Sequence, residues 1–184
     1  MKICVLFPGI GYTTEKPLMY YSGKYASQIG YELVRLKFHD LPSGAKGNKE
    51  IMGKAVDLAF DQAMELLRDV EWSQYDEILF IGKSIGTVVA AKYGKALALH
   101  ASYVFLTPLE ETFLYAEPKA GIVFHGTADP WADTAVITKK CEELNVPLYL
   151  YEKANHSLET GDVSRDMVIA GDVMKKIMSY LSDL

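Results

Sequence analysis

"ILFIGKSIGTVVAAKYG", residues 78–94, decides the fold. Four apolar residues run unbroken into Gly82-Lys83-Ser84-Ile85-Gly86, and a small-residue segment of helical period follows. Two motifs overlap in that turn. "GKS" ends the phosphate-binding pattern G-x-x-x-x-G-K-[ST], whose loop must wrap backbone amides around phosphates before the lysine arrives. The first glycine of that pattern falls at position 77, which is Glu77, and residues 78–81 read as strand. No chain is left to form the loop, so the phosphate reading fails. "GKSIG" also fits G-x-S-x-G, a sharp strand-to-helix turn that exposes a serine, with glycines leaving room for strand and helix to meet closely. The plainer alternative is a small-residue junction in which Ser84 merely caps the helix.

Outward from this turn, apolar runs alternate with segments of helical period. Strands are expected at 2–7, 31–38, 77–81, 102–106, 120–124 and 146–151, with 31–38 at an edge because Glu32 and Arg35 break its apolar pattern. Helices are expected at 18–30 (interrupted by Gly23), 50–70, 84–98, 110–116, 131–144 and 162–182. The last is expected to bury Val163, Met167, Ala170, Val173, Met174, Ile177 and Leu181. Six strands joined by helical crossovers, with no hairpin signal, imply an α/β protein with an all-parallel sheet. Length and the absence of repeats imply one domain, 1–184.

Composition narrows the function classes. The chain of 184 residues is 49% hydrophobic and 23% charged, with net charge −5. Its charges are mixed along the sequence, which argues against a nucleic-acid partner. No apolar run reaches membrane-spanning length, and the N-terminal run meets Pro8-Gly9 too early for a signal peptide. Cys4 and Cys141 are too few and too far apart for a disulfide framework or zinc site. A reduced, cytoplasmic protein is the expectation.

A serine hydroxyl becomes a useful nucleophile only beside a histidine base that a carboxylate orients. Both partners have candidates at strand ends. "HGTADPWAD" (125–133) follows the fifth strand and offers Asp129, and "EKANHSLET" (152–160) follows the sixth and offers His156. Asp133 is the competing carboxylate, placed in the next helix. With "GKSIG", "HGTADP" and "ANHSLE" in this order, the chain resembles the α/β-hydrolase family over essentially its whole length. The resemblance implies Ser84 as nucleophile, Asp129 as acid and His156 as base. It implies a three-layer, doubly wound sheet in the order 2-1-3-4-5-6, and oxyanion donors at the amides of Ile85 and Ile10. The second donor lies in "FPGIGYTTEKP" (7–17), where Pro8-Gly9 replaces the His-Gly common in the family. Only residues 107–119 separate strands four and five, so no cap domain is expected and the site should be open.

Gly9, Gly11, Tyr12, Lys83, Pro108 and Trp131 are the candidate substrate-binding residues, all beside strand ends. Lys83 has two readings. It either attracts an anionic substrate or weakens the basicity of His156, or else, as the plainer expectation has it, points away into solvent. A dinucleotide fingerprint at Gly9 fails because Thr14 stands at its third glycine. His125 is expected to end a strand and brace the Asp129 turn, without metal. The combined expectation is a serine hydrolase acting on a small carboxylic ester or thioester, needing no cofactor. An inactive scaffold of the same fold and an acyltransferase using the same residues are the alternatives.

Overall fold

The Ser84 turn sits at the end of β3, Glu77–Lys83, which has parallel neighbours on both sides. The computed structural model describes every residue except Lys46. The other strands are β1 (Lys2–Phe7), β2 (Glu32–Arg35), β4 (Ala101–Leu106), β5 (Gly121–Gly126) and β6 (Leu148–Tyr151). All pairs are parallel and the order is β2-β1-β3-β4-β5-β6, as expected. The direction of winding reverses between β1 and β3, which opens a crevice at their C-terminal ends.

Helices cover both faces, as a parallel sheet requires. They are α1 (Pro17–Gln28), α2 (Lys49–Leu66), α3 (Ile85–Ala96), α4 (Thr134–Leu144) and α5 (Val163–Ser182). One core lies under α2, α3 and α4, built on Val5, Phe7, Phe80, Phe105 and Val123. The other lies under α1 and α5 and gathers Leu6, Leu79, Ile81, Leu106 and Phe124. Alternation along β1 and β3 divides their side chains between the two. Three helices begin at a side-chain cap: Asn48 for α2, Asp133 for α4 and Asp162 for α5 each accept from two amides of the first turn.

Four details depart from the sequence expectation. Helix α1 passes through Gly23 unbroken, because the residue is there for contact: a Cβ would stand 2.8 Å from Leu6 Cδ1. Strand β2 stops at Arg35, although the amide of Leu36 still reaches the carbonyl of Leu6. The segment at 110–116 is a single 3₁₀ turn, Glu110–Leu114. The face of α5 is mis-set at its N-terminal end. Ile169, Val173, Ile177 and Leu181 are buried, whereas Val163 is 73% and Met167 71% exposed, since both line an open hollow facing α1 and the loop after β6. Both cysteines are buried and free. Among the described residues no helix is long and apolar enough to cross a membrane.

Two glycines in helices should respond oppositely to alanine. A Cβ at Gly86 would lie 2.0 Å from the carbonyl oxygen of Phe7, so Gly86→Ala should destabilise by about 3 kcal/mol and lower Tm by roughly 10 °C. Gly53, exposed in α2, would meet nothing within 4 Å, so Gly53→Ala should stabilise by roughly 0.5–1 kcal/mol. Thermal melts of the two variants check both signs.

Candidate active site

Ser84 holds φ 56° and ψ −124°, a backbone state costly for a residue with a side chain. Neighbours on every side maintain it. The Ser84 amide donates to the carbonyl of Leu106 on β4 at 3.0 Å. Its carbonyl accepts from the Thr87 amide at 2.9 Å and from Thr87 Oγ1 at 2.6 Å, and Thr87 in turn meets Thr112 Oγ1. The flanking glycines are steric necessities. A Cβ on Gly82 would lie 2.7 Å from Thr87 Cα, and Gly86 rests on Phe7. Ser84 stands at the N-cap position of α3, but its side chain makes no cap hydrogen bond, so capping does not account for the serine.

His156 arrives on the loop after β6. The amide of Ala128 donates to Ala154 O, and Gly126 packs so close that a Cβ would meet that same oxygen at 2.2 Å. Asn155 Oδ1 accepts from the amides of Ser157 and Glu159, closing the loop. The ring then stands between two partners. Nδ1 lies 2.7 Å from Asp129 Oδ2, and Nε2 lies 2.7 Å from Ser84 Oγ. An ionised carboxylate only accepts, so Nδ1 carries the proton and Nε2 is free to accept from the serine hydroxyl. Asp129 is fully buried, and its other oxygen accepts from the amide of Trp131 at 2.8 Å. Asp133 is not its substitute: its carboxylate is spent on the first amides of α4.

The remaining candidates fall on three sides of this line. The Ile85 amide opens α3, where a helix leaves its first amides unused. Gly9-Ile10-Gly11-Tyr12 forms a tight turn bridged between Gly9 and Tyr12, with Gly11 at φ 73°. The turn spends the amides of Gly9 and Tyr12 and leaves that of Ile10 at its tip. Gly9 presses against Ser84, since a Cβ there would stand 3.1 Å from Ser84 Cβ. Trp131 stacks on the imidazole, ring centres 5.1 Å apart and planes within 20°. Trp131 and Leu109 border a hollow of ≈ 160 Å³. Pro108 is buried, and its neighbour Leu109 rather than Pro108 borders that hollow.

Lys83 overturns the expectation of a solvated lysine. It is 1% exposed, and its Nζ donates to Thr107 Oγ1 at 2.5 Å and to the carbonyl of His156 at 2.7 Å. The Tyr12 ring lies 4.9 Å from the same nitrogen. Burial pushes Lys83 down to about 7, against the pull of Asp129 and Glu159. Burial likewise lowers His156; the Asp129 hydrogen bond opposes this and the Lys83 charge adds to it. His125 sits buried behind Asp129, with Nε2 on Thr134 Oγ1 at 3.0 Å and Nδ1 3.8 Å from Asp129 Oδ2. Burial keeps it neutral, consistent with a brace. Among the described residues no group of three His, Cys, Asp or Glu is placed to hold a metal ion. Thr87, Thr107 and Thr112 are the residues that sequence reasoning gave no such part, and nothing in their local pattern marks them.

No family model matches the chain, and no curated protein matches it. Solved structures do. A candidate hydrolase of the alpha/beta superfamily from Xanthomonas campestris pv. campestris superposes with TM-score 0.73 at 15% identity, over the whole of both chains. An alpha/beta serine hydrolase without a lid, from Xanthomonas campestris, gives 0.62 at 16% identity, over 94% of this chain and 81% of that one. An esterase from Pyrococcus furiosus gives 0.67 at 14%, over 99% and 83%. At these identities the likeness is one of fold: the chain has the α/β-hydrolase fold, without a cap domain.

The buried lysine makes stability depend on pH. Unfolded, Lys83 titrates near 10.5; folded, near 7. Between those values the unfolded chain binds more protons, so this residue's destabilising contribution is full below pH 7 and fades as pH rises toward 10.5. Lys83→Met should therefore raise Tm by roughly 5 °C at pH 6, with the difference shrinking by pH 9.5. Calorimetry at the two pH values checks this.

Proposed function

We propose that the protein is a serine hydrolase that cleaves a carboxylic ester or thioester of a small substrate through an acyl-enzyme on Ser84. The observation that carries this is the line Asp129–His156–Ser84, joined by two 2.7 Å hydrogen bonds at a serine held in a strained turn. The solved structures of like fold include one described as a serine hydrolase without a lid and one as an esterase, which supports the reading.

Ser84 Oγ attacks the acyl carbonyl while its proton passes to His156 Nε2. The carbonyl oxygen becomes an oxyanion, which the amides of Ile85 and Ile10 stabilise. Such donors are each worth about 3–4 kcal/mol where they have been removed from hydrolases. Asp129 holds the imidazole in the right tautomer and stabilises its charge. The imidazolium then protonates the leaving alcohol or thiol, and the acyl group stays on Ser84. Water, deprotonated by the same histidine, cleaves the acyl-enzyme and restores the hydroxyl. Trp131 fixes the plane of the ring during both half-reactions. Without a cap over the site, a compact acyl group or an ester displayed on a larger molecule suits it better than a long enclosed chain.

A fluorophosphonate probe should label Ser84, and p-nitrophenyl acetate or butyrate should be hydrolysed. Ser84→Ala should abolish labelling and lower kcat/KM by about 10⁴-fold or more. Folded protein that resists the probe, or a Ser84→Ala variant as active as the parent, would rule the mechanism out. Because His156 is lowered from the ordinary 6.5, kcat/KM should climb with pH through a limb lying below 6.5 and stay level just above it. Competing alcohols or amines in the assay separate hydrolysis from acyl transfer.

A further inference from the structure

Lys83 immediately precedes Ser84 in the chain, and its side chain is buried. Its side chain runs beneath the site and ends on the carbonyl of the very residue that acts as base. Thr107, at φ 43° just past β4, donates from Oγ1 to that carbonyl at 3.0 Å and meets Lys83 Nζ with the same oxygen. The three groups form a closed triangle at the root of the histidine loop. The loop is also tied by backbone bonds to the end of β6 and the turn after β5, by the Lys153 amide to Thr127 Oγ1, and by the His156 ring itself to Asp129 and Ser84.

We propose that Lys83 is a positioning residue for the reaction, a buried cation fixed to the His156 carbonyl that keeps the imidazole aimed at Ser84 and keeps it unprotonated. The proposal rests on the hydrolase reading above. Geometry carries the first half: a base must stay within hydrogen-bond reach of its proton, and displacement by an ångström costs on the order of 100-fold. Charge carries the second half. Burial already disfavours a proton on the imidazole, Asp129 works against this by favouring the charged ring, and His125 behind it weighs slightly on the side of burial. A cation in the same dry space opposes the pull of Asp129.

The charged and titratable groups facing Lys83 Nζ come from three elements. The turn after β5 brings Asp129, the histidine loop brings His156 and Glu159, and the loop after β1 brings the Tyr12 ring. Both carboxylates favour the ammonium, and burial opposes it strongly enough that it loses its proton near pH 7. The two titrations are therefore coupled, and the imidazole senses the state of the lysine.

Two measurements test this. In the wild-type protein, the ring signals of His156 followed by NMR should move in two steps. One falls below 6.5 for its own proton, and a second, smaller one falls near 7 as Lys83 discharges. A single step at 6.5 or above would overturn the proposal, whether or not any ester is turned over. In Lys83→Met, kcat on p-nitrophenyl acetate should fall about 10- to 100-fold with KM within about twofold, and the acid limb should move to higher pH. Lys83→Arg, which keeps charge and donors, should restore the limb to its low position. Unchanged kcat and an unmoved limb in a folded Lys83→Met protein would overturn it. Fluorophosphonate labelling of Ser84 in the wild type tests the hydrolase reading separately, so the two can fail independently.

Discussion

The carbonyl oxygen of Phe7 touches the first turn of α3 with no room for a methyl group between them. A Cβ on Gly86 would be 2.0 Å from that oxygen and 2.6 Å from the carbonyl of Pro8. This contact seats α3, which follows Ser84, directly on the end of β1. The free amides at the head of α3 and the turn at Gly9–Tyr12 are thereby set side by side, with Gly9 against Ser84. The strain at Ser84 is sustained by the same arrangement, since the residue is clamped from β4 through Leu106 and from α3 through Thr87. A sheet with β1 beside β3 is what makes the contact possible. The crossover order, the glycine spacing and the serine conformation are three expressions of one close approach.

Around that rigid centre the polar groups are arranged at some expense to stability. The side chains of Lys83, Asp129 and His125 are all withdrawn from water, with two hydrogen bonds each to the lysine and the aspartate and one to the histidine to offset the loss. Among the described residues His125 Nδ1 has no hydrogen-bond partner. A hydrophobic side chain in place of the lysine would fold more favourably below neutral pH, yet it would give up the bond to the His156 carbonyl. Stability and function pull apart at this residue, as they commonly do where an active site is preorganised.

Much of this was legible in the sequence, and for a physical reason. Parallel strands buried on both faces write themselves as short apolar runs, so "EILFI" and "AGIVF" announce a sheet without any partner being known. Ser84, Asp129 and His156 stand in short polar turns at strand ends, where the residue types and their order carry the chemistry. Other features depend on what the fold brings from far away. Lys83 looks like any surface lysine until Thr107 and His156, distant in the chain, close over it. Val163 and Met167 keep the apolar period of α5, but period says nothing about whether a neighbour closes over that face. Gly23 reads as a helix breaker unless Leu6 is known to lie against it. Local pattern reports what a segment can form, and tertiary contact decides what each side chain meets.

The stacking of Trp131 on His156 makes the base optically visible. An indole in face contact with an imidazole loses emission when that imidazole gains a proton, because the cation is an effective acceptor of the excited state. The chain's other tryptophan, Trp72, lies on the aromatic cluster of Phe80 and Tyr93, on the α3 side of the sheet. Trp131 is thus a built-in fluorophore for the protonation state of His156, readable without label or substrate.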